Sequence, residues 1–227
     1  MEFRKAELVE GVLRLPALRP APRRAHLSAP AGAELNRLFR STLADLRASA
    51  SRGDAVDAAI VALLPKNASA PLTTISKAIA AKWLVPAPGD GKGERDRPSP
   101  DLGLLAPALY EYAVDAVGAG RLPEAIAALA LVASAPVARP DGLLGLAVCA
   151  ARLENYDAAL VLALETLKHR PGHPRASCIA GRCELERGDR KSAQHHLALA
   201  ARMARQRPEF RDDLRAAQRL LLMMHIA

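Results

Sequence analysis

The fold is decided by residues 106–207, which divide into three successive copies of 34 residues. The copies read APALYEYAVDAVGAGRLPEAIAALALVASAPVAR from Ala106, PDGLLGLAVCAARLENYDAALVLALETLKHRPGH from Pro140 and PRASCIAGRCELERGDRKSAQHHLALAARMARQR from Pro174. The eighth and twentieth places are small in every copy. They hold Ala113, Ala147 and Gly181, then Ala125, Ala159 and Ala193. Alanine is common in this chain, but several columns agree in one register, including Gly120 and Gly188 at helix ends, which indicates a true repeat.

A period of 34 residues is that of the tetratricopeptide repeat, in which each copy forms two paired helices. The small columns are the places where paired helices touch, and the seventh-place residues Tyr112, Leu146 and Ala180 are predicted to be core. We therefore expect an all-α fold, with three tetratricopeptide repeats in a short right-handed superhelix. Its helices should occupy residues 102–117, 122–133, 141–152, 156–170, 175–187 and 191–206.

Four regions are expected along the chain. They are a mobile arm rich in proline and arginine (1–33), an N-terminal helical region (34–85), a linker (86–100) and the repeat domain (101–227). A capping helix over 208–227 should cover the apolar face that a terminal repeat leaves in water. In the N-terminal region, Asp54 is the expected N-cap of a second helix, and a third helix should start after Pro71 with Thr73 or Thr74 as its cap.

Charge and cysteine content limit the partners. The net charge is +8, and residues 1–99 carry 16 Lys and Arg against 10 acids, whereas residues 100–227 carry 16 against 14. The arginines alternate with proline and acids and lack aromatic platforms, so no nucleic-acid partner is expected. No apolar run reaches the length of about 18 residues that a spanning helix needs, so no stable membrane insertion is expected. Cys149, Cys178 and Cys183, an odd number inside predicted helices, favour reduced thiols in a cytoplasmic protein.

Further motifs resemble one family of repeat proteins. The similarity covers about residues 101–220 and is most specific over 180–210, while residues 1–95 have no counterpart in the family. The motifs are Leu109 and Tyr110 before GAG at 118–120, LGL at 144–146 with Cys149 ahead of Tyr156, Pro174 and Arg175 with Cys183 and Gly188, and LALA at 197–200 before PEF at 208–210. They look like the class II chaperones of type III secretion systems. This resemblance implies a cytoplasmic chaperone that binds hydrophobic translocator proteins before their export.

The first helix of each stacked repeat lines a concave surface, and its second, fifth, ninth and twelfth places should face a ligand. The predicted peptide-binding groove comprises Tyr110, Val114 and Val117, then Leu144, Val148 and Ala151, and then Arg175, Cys178, Arg182 and Leu185. This apolar surface with arginines at one end suits an extended peptide with spaced Leu, Val or Pro side chains. Each buried anchor would contribute about 1.5 to 3 kcal/mol. A carboxylate clamp is not expected, because these places lack the several charged donors that a terminal carboxylate needs.

Two alternatives stay open. Tyr110, Val114, Leu144 and Val148 would also suit packing against the N-terminal helices, with no external ligand. In the second alternative, the protein is a structural or regulatory adaptor in which residues 34–85 occupy the groove or form a homodimer.

The sequence contains no recognisable catalytic, phosphate-binding or metal-binding motif. The GDGKG stretch at 89–93 lacks the strand and helix of a phosphate-binding loop. His195 and His196 point about 100° apart on a helix, and no metal-ligand spacing such as Cys-x-x-Cys occurs. Asp212 and Asp213 should lie on a solvated helix face. We therefore expect no enzyme, no cofactor and no metal site.

Overall fold

The computed structural model describes residues 32–83 and 101–226, and within these ranges every regular element is helical. The expected all-α fold is confirmed. The helices are α1 (Gly32–Ser51), α2 (Ala55–Leu63), α3 (Ser69–Trp83), α4 (Leu102–Gly118), α5 (Leu122–Ser134), α6 (Arg139–Arg152), α7 (Tyr156–His169), α8 (Pro174–Glu186), α9 (Arg190–Ala204) and α10 (Arg211–Ile226), with a 3-10 turn at Pro208–Phe210. The predicted linker and nearly all of the predicted arm lie outside the described residues. Two compact units divide between Gly142 and Leu143, within α6.

In the unit that ends at Gly142, the N-terminal helices share a core with the first repeat. Helix α1 packs against α2, α3 and α5, and α3 packs against α4 and α5. Apolar residues recur every three or four positions along these helices, so each presents one buried face. The fully buried side chains include Leu35, Phe39 and Leu43 of α1, Ile60 of α2, Leu72, Ile75 and Ile79 of α3, and Leu105 and Leu109 of α4.

The N-terminal helix boundaries test the capping predictions. Asp54 caps α2 as expected, since its carboxylate accepts hydrogen bonds from the backbone N–H groups of Val56 (2.9 Å) and Asp57 (2.8 Å). The prediction for α3 is wrong, because this helix begins at Ser69 and includes Pro71 in its first turn. A proline fits there because first-turn N–H groups have no intrahelical acceptor to lose.

The predicted caps of α3 have another role. The Thr73 hydroxyl donates to the Ser69 carbonyl at 2.9 Å, and the Thr74 hydroxyl donates to the Ala70 carbonyl at 3.2 Å. Both side chains therefore bond one turn back inside the helix.

The turn inside each repeat recurs with the 34-residue period. The N–H groups of Arg121, Asn155 and Asp189 each donate to the carbonyl five residues earlier, at 2.8, 3.0 and 2.9 Å. The residue before each of them has a left-handed backbone, with φ of 74° at Gly120, 56° at Glu154 and 88° at Gly188. This is the Schellman arrangement, which satisfies helix-end carbonyls and favours glycine. The predicted helix-ending glycines are confirmed, and the middle repeat uses a glutamate.

The same turn joins α1 to α2. Gly53 has a φ of 97°, and the N–H of Asp54 donates to the Ser49 carbonyl at 3.4 Å. An N-terminal hairpin outside the repeat register thus ends its first helix as the repeats do.

In the unit from Leu143 onward, α7, α8, α9 and α10 pack in succession, and α10 also contacts α8. A Cβ added at Gly181 would lie 2.7 Å from Leu197 Cγ and 3.1 Å from the Ala193 carbonyl oxygen. Glycine thus lets α8 and α9 meet at the eighth and twentieth places, as the repeat register predicts. Helix α10 follows a 3-10 turn that starts at Pro208, and it buries Ala216 and Ala217.

Candidate functional site

The predicted binding residues of the first repeat lie on α4, in the unit that ends at Gly142. Tyr110 and Val117 are buried, whereas Val114 is half-buried. Because α3 packs against α4 in this unit, part of the surface of α4 is already covered by the chain itself. Of these three side chains, Val114 keeps the most accessible surface.

The predicted residues of the second repeat lie on α6, beyond the division between the units. Leu144, Val148 and Ala151 are all buried. Full burial makes them part of a packed interior, and a ligand would reach them only after a rearrangement.

In the third repeat, Arg175 of α8 pairs with Asp213 of α10. The distances are 2.9 Å from Nε to Oδ1 and 3.0 Å from Nη2 to Oδ2. The prediction that both α10 aspartates are solvated is right for Asp212, which is exposed. It is wrong for Asp213, which is 0% exposed. Burial raises the pKa of the Asp213 carboxyl, and the hydrogen bond from Arg175 opposes that rise. Arg175, predicted as a ligand contact, is neutralised in this structure by the chain's own carboxylate.

Arg182, two groove places beyond Arg175 on α8, has a different environment. Its guanidinium lies 5.7 Å from the centre of the Tyr156 ring of α7. The side chain is half-buried, and its Nη1 is buried without a hydrogen-bond partner among the described residues. Leaving a buried charged donor unpaired costs free energy, so a shift of the side chain that brings this nitrogen to an acceptor of the ligand would be favourable. Sequence register identified the residue, and the missing partner is visible only in three dimensions.

The three cysteines lie inside helices with free thiols. Burial raises the pKa of Cys149, Cys178 and Cys183 to about 12 each. A thiol with so high a pKa carries little thiolate at neutral pH and is a poor nucleophile. Cys178, predicted in the groove, is buried beside the Arg175 and Asp213 charges that act on its pKa.

Tyr112 departs from the core position predicted for it. The ring is half-buried, and its hydroxyl donates to Glu124 Oε2 at the α4–α5 hairpin. Arg121 donates to the same oxygen at 2.8 Å, and its guanidinium lies 5.7 Å from the Tyr112 ring centre. Burial and the hydrogen bond to Glu124 raise the pKa of Tyr112 to about 12. This cluster fixes the hairpin and leaves no free acid or base.

Two negative findings apply to residues 32–83 and 101–226. No group of three or more His, Cys, Asp or Glu side chains is placed to hold a metal ion there. None of the helices in these ranges has the length and apolar character required to span a bilayer.

Known proteins were compared with this chain by sequence and by structure. The chain matches no protein-family model and no curated protein sequence. Among solved structures, it is similar to the crystal structure of the Yersinia enterocolitica type III secretion translocator chaperone SycD in an alternative dimer. The identity is 22% and the TM-score 0.48, over 54% of the present chain and 92% of that one.

Proposed function

We propose that this protein is a cytoplasmic chaperone for hydrophobic translocator proteins of a type III secretion system. It binds an extended segment of the translocator through the first helices of its repeats and keeps the cargo soluble and unassembled before export. No cofactor takes part. The sequence resemblance over 180–210 supports this function, since that tract forms the α8–α9 repeat pair with the small-residue contact at Gly181.

The unpartnered Nη1 of Arg182 carries the proposal. It lies at the ninth place of the third repeat, where the register predicts a ligand-facing side chain. Tyr156 holds the guanidinium plane, so the donor is oriented before a ligand arrives. A backbone carbonyl or an acidic side chain of the cargo would complete its hydrogen bonds.

The buried apolar residues have a supporting role in this proposal. Tyr110 is buried on α4, the helix that presents Val114, and Leu144 and Val148 are buried on α6. Preorganised contacts of this kind reduce the ordering cost of binding an extended segment.

The accessible residues give the clearest test. A Val148→Glu change would place a charge at a fully buried position, so loss of binding would not be distinguished from unfolding. Val114→Glu and Arg182→Glu alter half-buried side chains instead. We expect each to reduce the translocator that copurifies after co-expression with translocator genes from the same organism. Arg202→Glu, on an exposed position of α9, is the charge-matched control. Full translocator recovery by a folded Val114→Glu, Arg182→Glu double variant would refute the assignment.

The adaptor hypothesis is the second candidate, and the packing of α1 and α3 against the first repeat favours it. Deleting residues 1–95 would strip packing partners from α4 and α5, so point changes are the better test. Along α1 runs an open groove lined by Ala33, Asn36, Arg37, Arg40, Ser41 and Ala44. If α1 forms a homodimer, Arg37→Glu with Arg40→Glu will lower the mass measured by light scattering. A wild-type chain that stays monomeric at high concentration would exclude this assembly role.

A further inference from the structure

The last two helices carry a strong excess of positive charge. Residues 190–226 contain eight Lys and Arg against three acids. One of these acids, Asp213, is buried against Arg175, which leaves Glu209 and Asp212 as the exposed acids. All eight basic side chains are exposed: Arg190, Lys191, Arg202, Arg205, Arg207, Arg211, Arg215 and Arg219.

The outer face of α10 combines this charge with apolar surface. Its inner face packs against α8 and α9 and buries Asp213, Ala216 and Ala217. The outer stripe changes from basic to apolar toward the end of the helix, where Leu222 is 62% exposed and Met223 is 43% exposed. Spacings of three and four residues place the members of this stripe along one side of the helix. They are Arg211, Arg215, Gln218, Arg219, Leu222 and Met223.

A cleft lies where the end of α10 meets the start of α9. Arg190, Lys191 and Gln194 at the start of α9 line it together with Met224, and its volume is about 290 Å³. The Arg190 side chain donates to the Met224 carbonyl, so this contact fixes the end of α10 beside the start of α9. The half-buried Met224 thus lies next to the basic residues Arg190 and Lys191.

We propose that the outer stripe of α10 docks an acidic amphipathic helix of a partner protein. Arginines one turn apart match carboxylates at the same spacing, and the planar guanidinium can form paired hydrogen bonds with each carboxylate. Arg215 has a weak contact of 3.8 Å with Asp212, whereas Arg211 and Arg219 have no ion pair among the described residues. Apolar side chains of the partner cover Leu222 and Met223, as in other helix-in-groove complexes.

A protein helix fits this surface better than a bilayer or a nucleic acid. Among the side chains of α10 that the structure describes, Leu222 and Met223 are the large apolar ones that are exposed, and so little apolar area gives weak membrane affinity. Single-stranded nucleic acids need aromatic stacking platforms. The one aromatic ring of this basic segment apart from histidine, Phe210, is half-buried and packs edge-on against His173 at 5.2 Å.

The probe is a fluorescent synthetic helix of about five turns, with Glu at every fourth position and Leu residues near one end. Its anisotropy is measured against the full chain. We expect binding that weakens as salt is raised and that falls about tenfold for Arg215→Glu with Arg219→Glu. Leu222→Ser with Met223→Ser should also weaken binding. Lys66→Glu with Lys77→Glu, a charge-matched change at exposed positions of the other unit, and Arg182→Glu should leave it unchanged.

Several results would overturn the proposal. They include equal binding of a peptide with Gln in place of Glu, equal binding of a scrambled peptide, and no loss of binding in the folded α10 variants. Phosphatidylserine vesicles or a single-stranded oligonucleotide that bind through these arginines, while the peptide does not, would assign the surface to a different partner. Circular dichroism checks folding, and Arg215→Gln with Arg219→Gln replaces the charge reversal if that variant unfolds, with a loss of binding still expected.

Discussion

Arg175 and Asp213 form a buried ion pair with two parallel hydrogen bonds, 2.9 and 3.0 Å long, that joins α8 to the capping helix α10. Replacing Asp213 by alanine would leave the buried guanidinium without its counter-charge. We expect the free energy of unfolding to fall by about 3 to 5 kcal/mol, measured by urea denaturation. The neighbouring Asp212→Ala should cost little, because Asp212 is exposed.

Replacing both partners distinguishes the effect of the charges on stability from the effect of packing. Arg175→Met with Asp213→Leu removes both charges and keeps apolar volume, so most of the stability should return. If Asp213→Ala costs no more than Asp212→Ala, the ion pair contributes nothing to the attachment of α10.

Gly181 lies at a close approach of α8 and α9, where an added Cβ would lie 2.7 Å from Leu197 Cγ. Gly181→Ala should lower the free energy of unfolding by about 1 to 3 kcal/mol, because the helices must move apart. Gly118→Ala is the matched control, since a Cβ there meets nothing within 4 Å. It should be neutral or stabilising by up to about 1 kcal/mol. Equal effects of the two changes in chemical denaturation would mean that the close approach carries no energetic weight.

Substitutions in the turn after the first helix of a repeat should change stability in opposite directions at the equivalent positions Gly188 and Glu154. Gly188→Ala forces a Cβ into a left-handed backbone and should destabilise by about 1 to 2 kcal/mol. Glu154→Gly relieves the same strain in the middle repeat and should stabilise by about 0.5 kcal/mol after the entropy cost of glycine. Glu154→Ala keeps the Cβ and should be near neutral. Thermal unfolding of the three variants provides the comparison. Midpoints that shift in the same direction for Gly188→Ala and Glu154→Gly would contradict the prediction.

Sequence patterns predicted much of this fold because they act locally. The 34-residue register located the Gly181 contact, and a polar residue after a glycine located the cap at Asp54. The predicted start of α3 is wrong because proline often marks a helix boundary, whereas Pro71 lies inside the first turn, which accepts proline. Glu154 was not predicted in its left-handed conformation, since no residue preference favours glutamate there.

The candidate site was less predictable because exposure depends on packing between helices. Asp212 and Asp213 are identical residues at adjacent positions, and only the orientation of α10 on α8 decides which of them is buried. Basic and acidic residues nearly balance over residues 100–227 as a whole, so their total does not reveal the basic segment from Arg190 onward. Arg175 and Arg182 both occupy predicted groove places, yet within the described part of the chain only Arg175 has a carboxylate partner.

Tyr112 provides a test by pH. Burial and the hydrogen bond to Glu124 raise its pKa to about 12, above the ordinary value of 10.0. The folded protein therefore holds this proton more tightly than the unfolded chain, so the stabilisation is complete below pH 10.0 and is lost as pH rises toward 12. The loss of stability over this interval should be smaller in Tyr112→Phe, which keeps the ring but has no ionisable hydroxyl. Urea denaturation at successive pH values measures this difference, and absorbance of the tyrosinate follows the ionisation directly. Tyr112 ionising near pH 10.0 in the folded wild type, with the same stability profile as Tyr112→Phe, would contradict the role of Glu124.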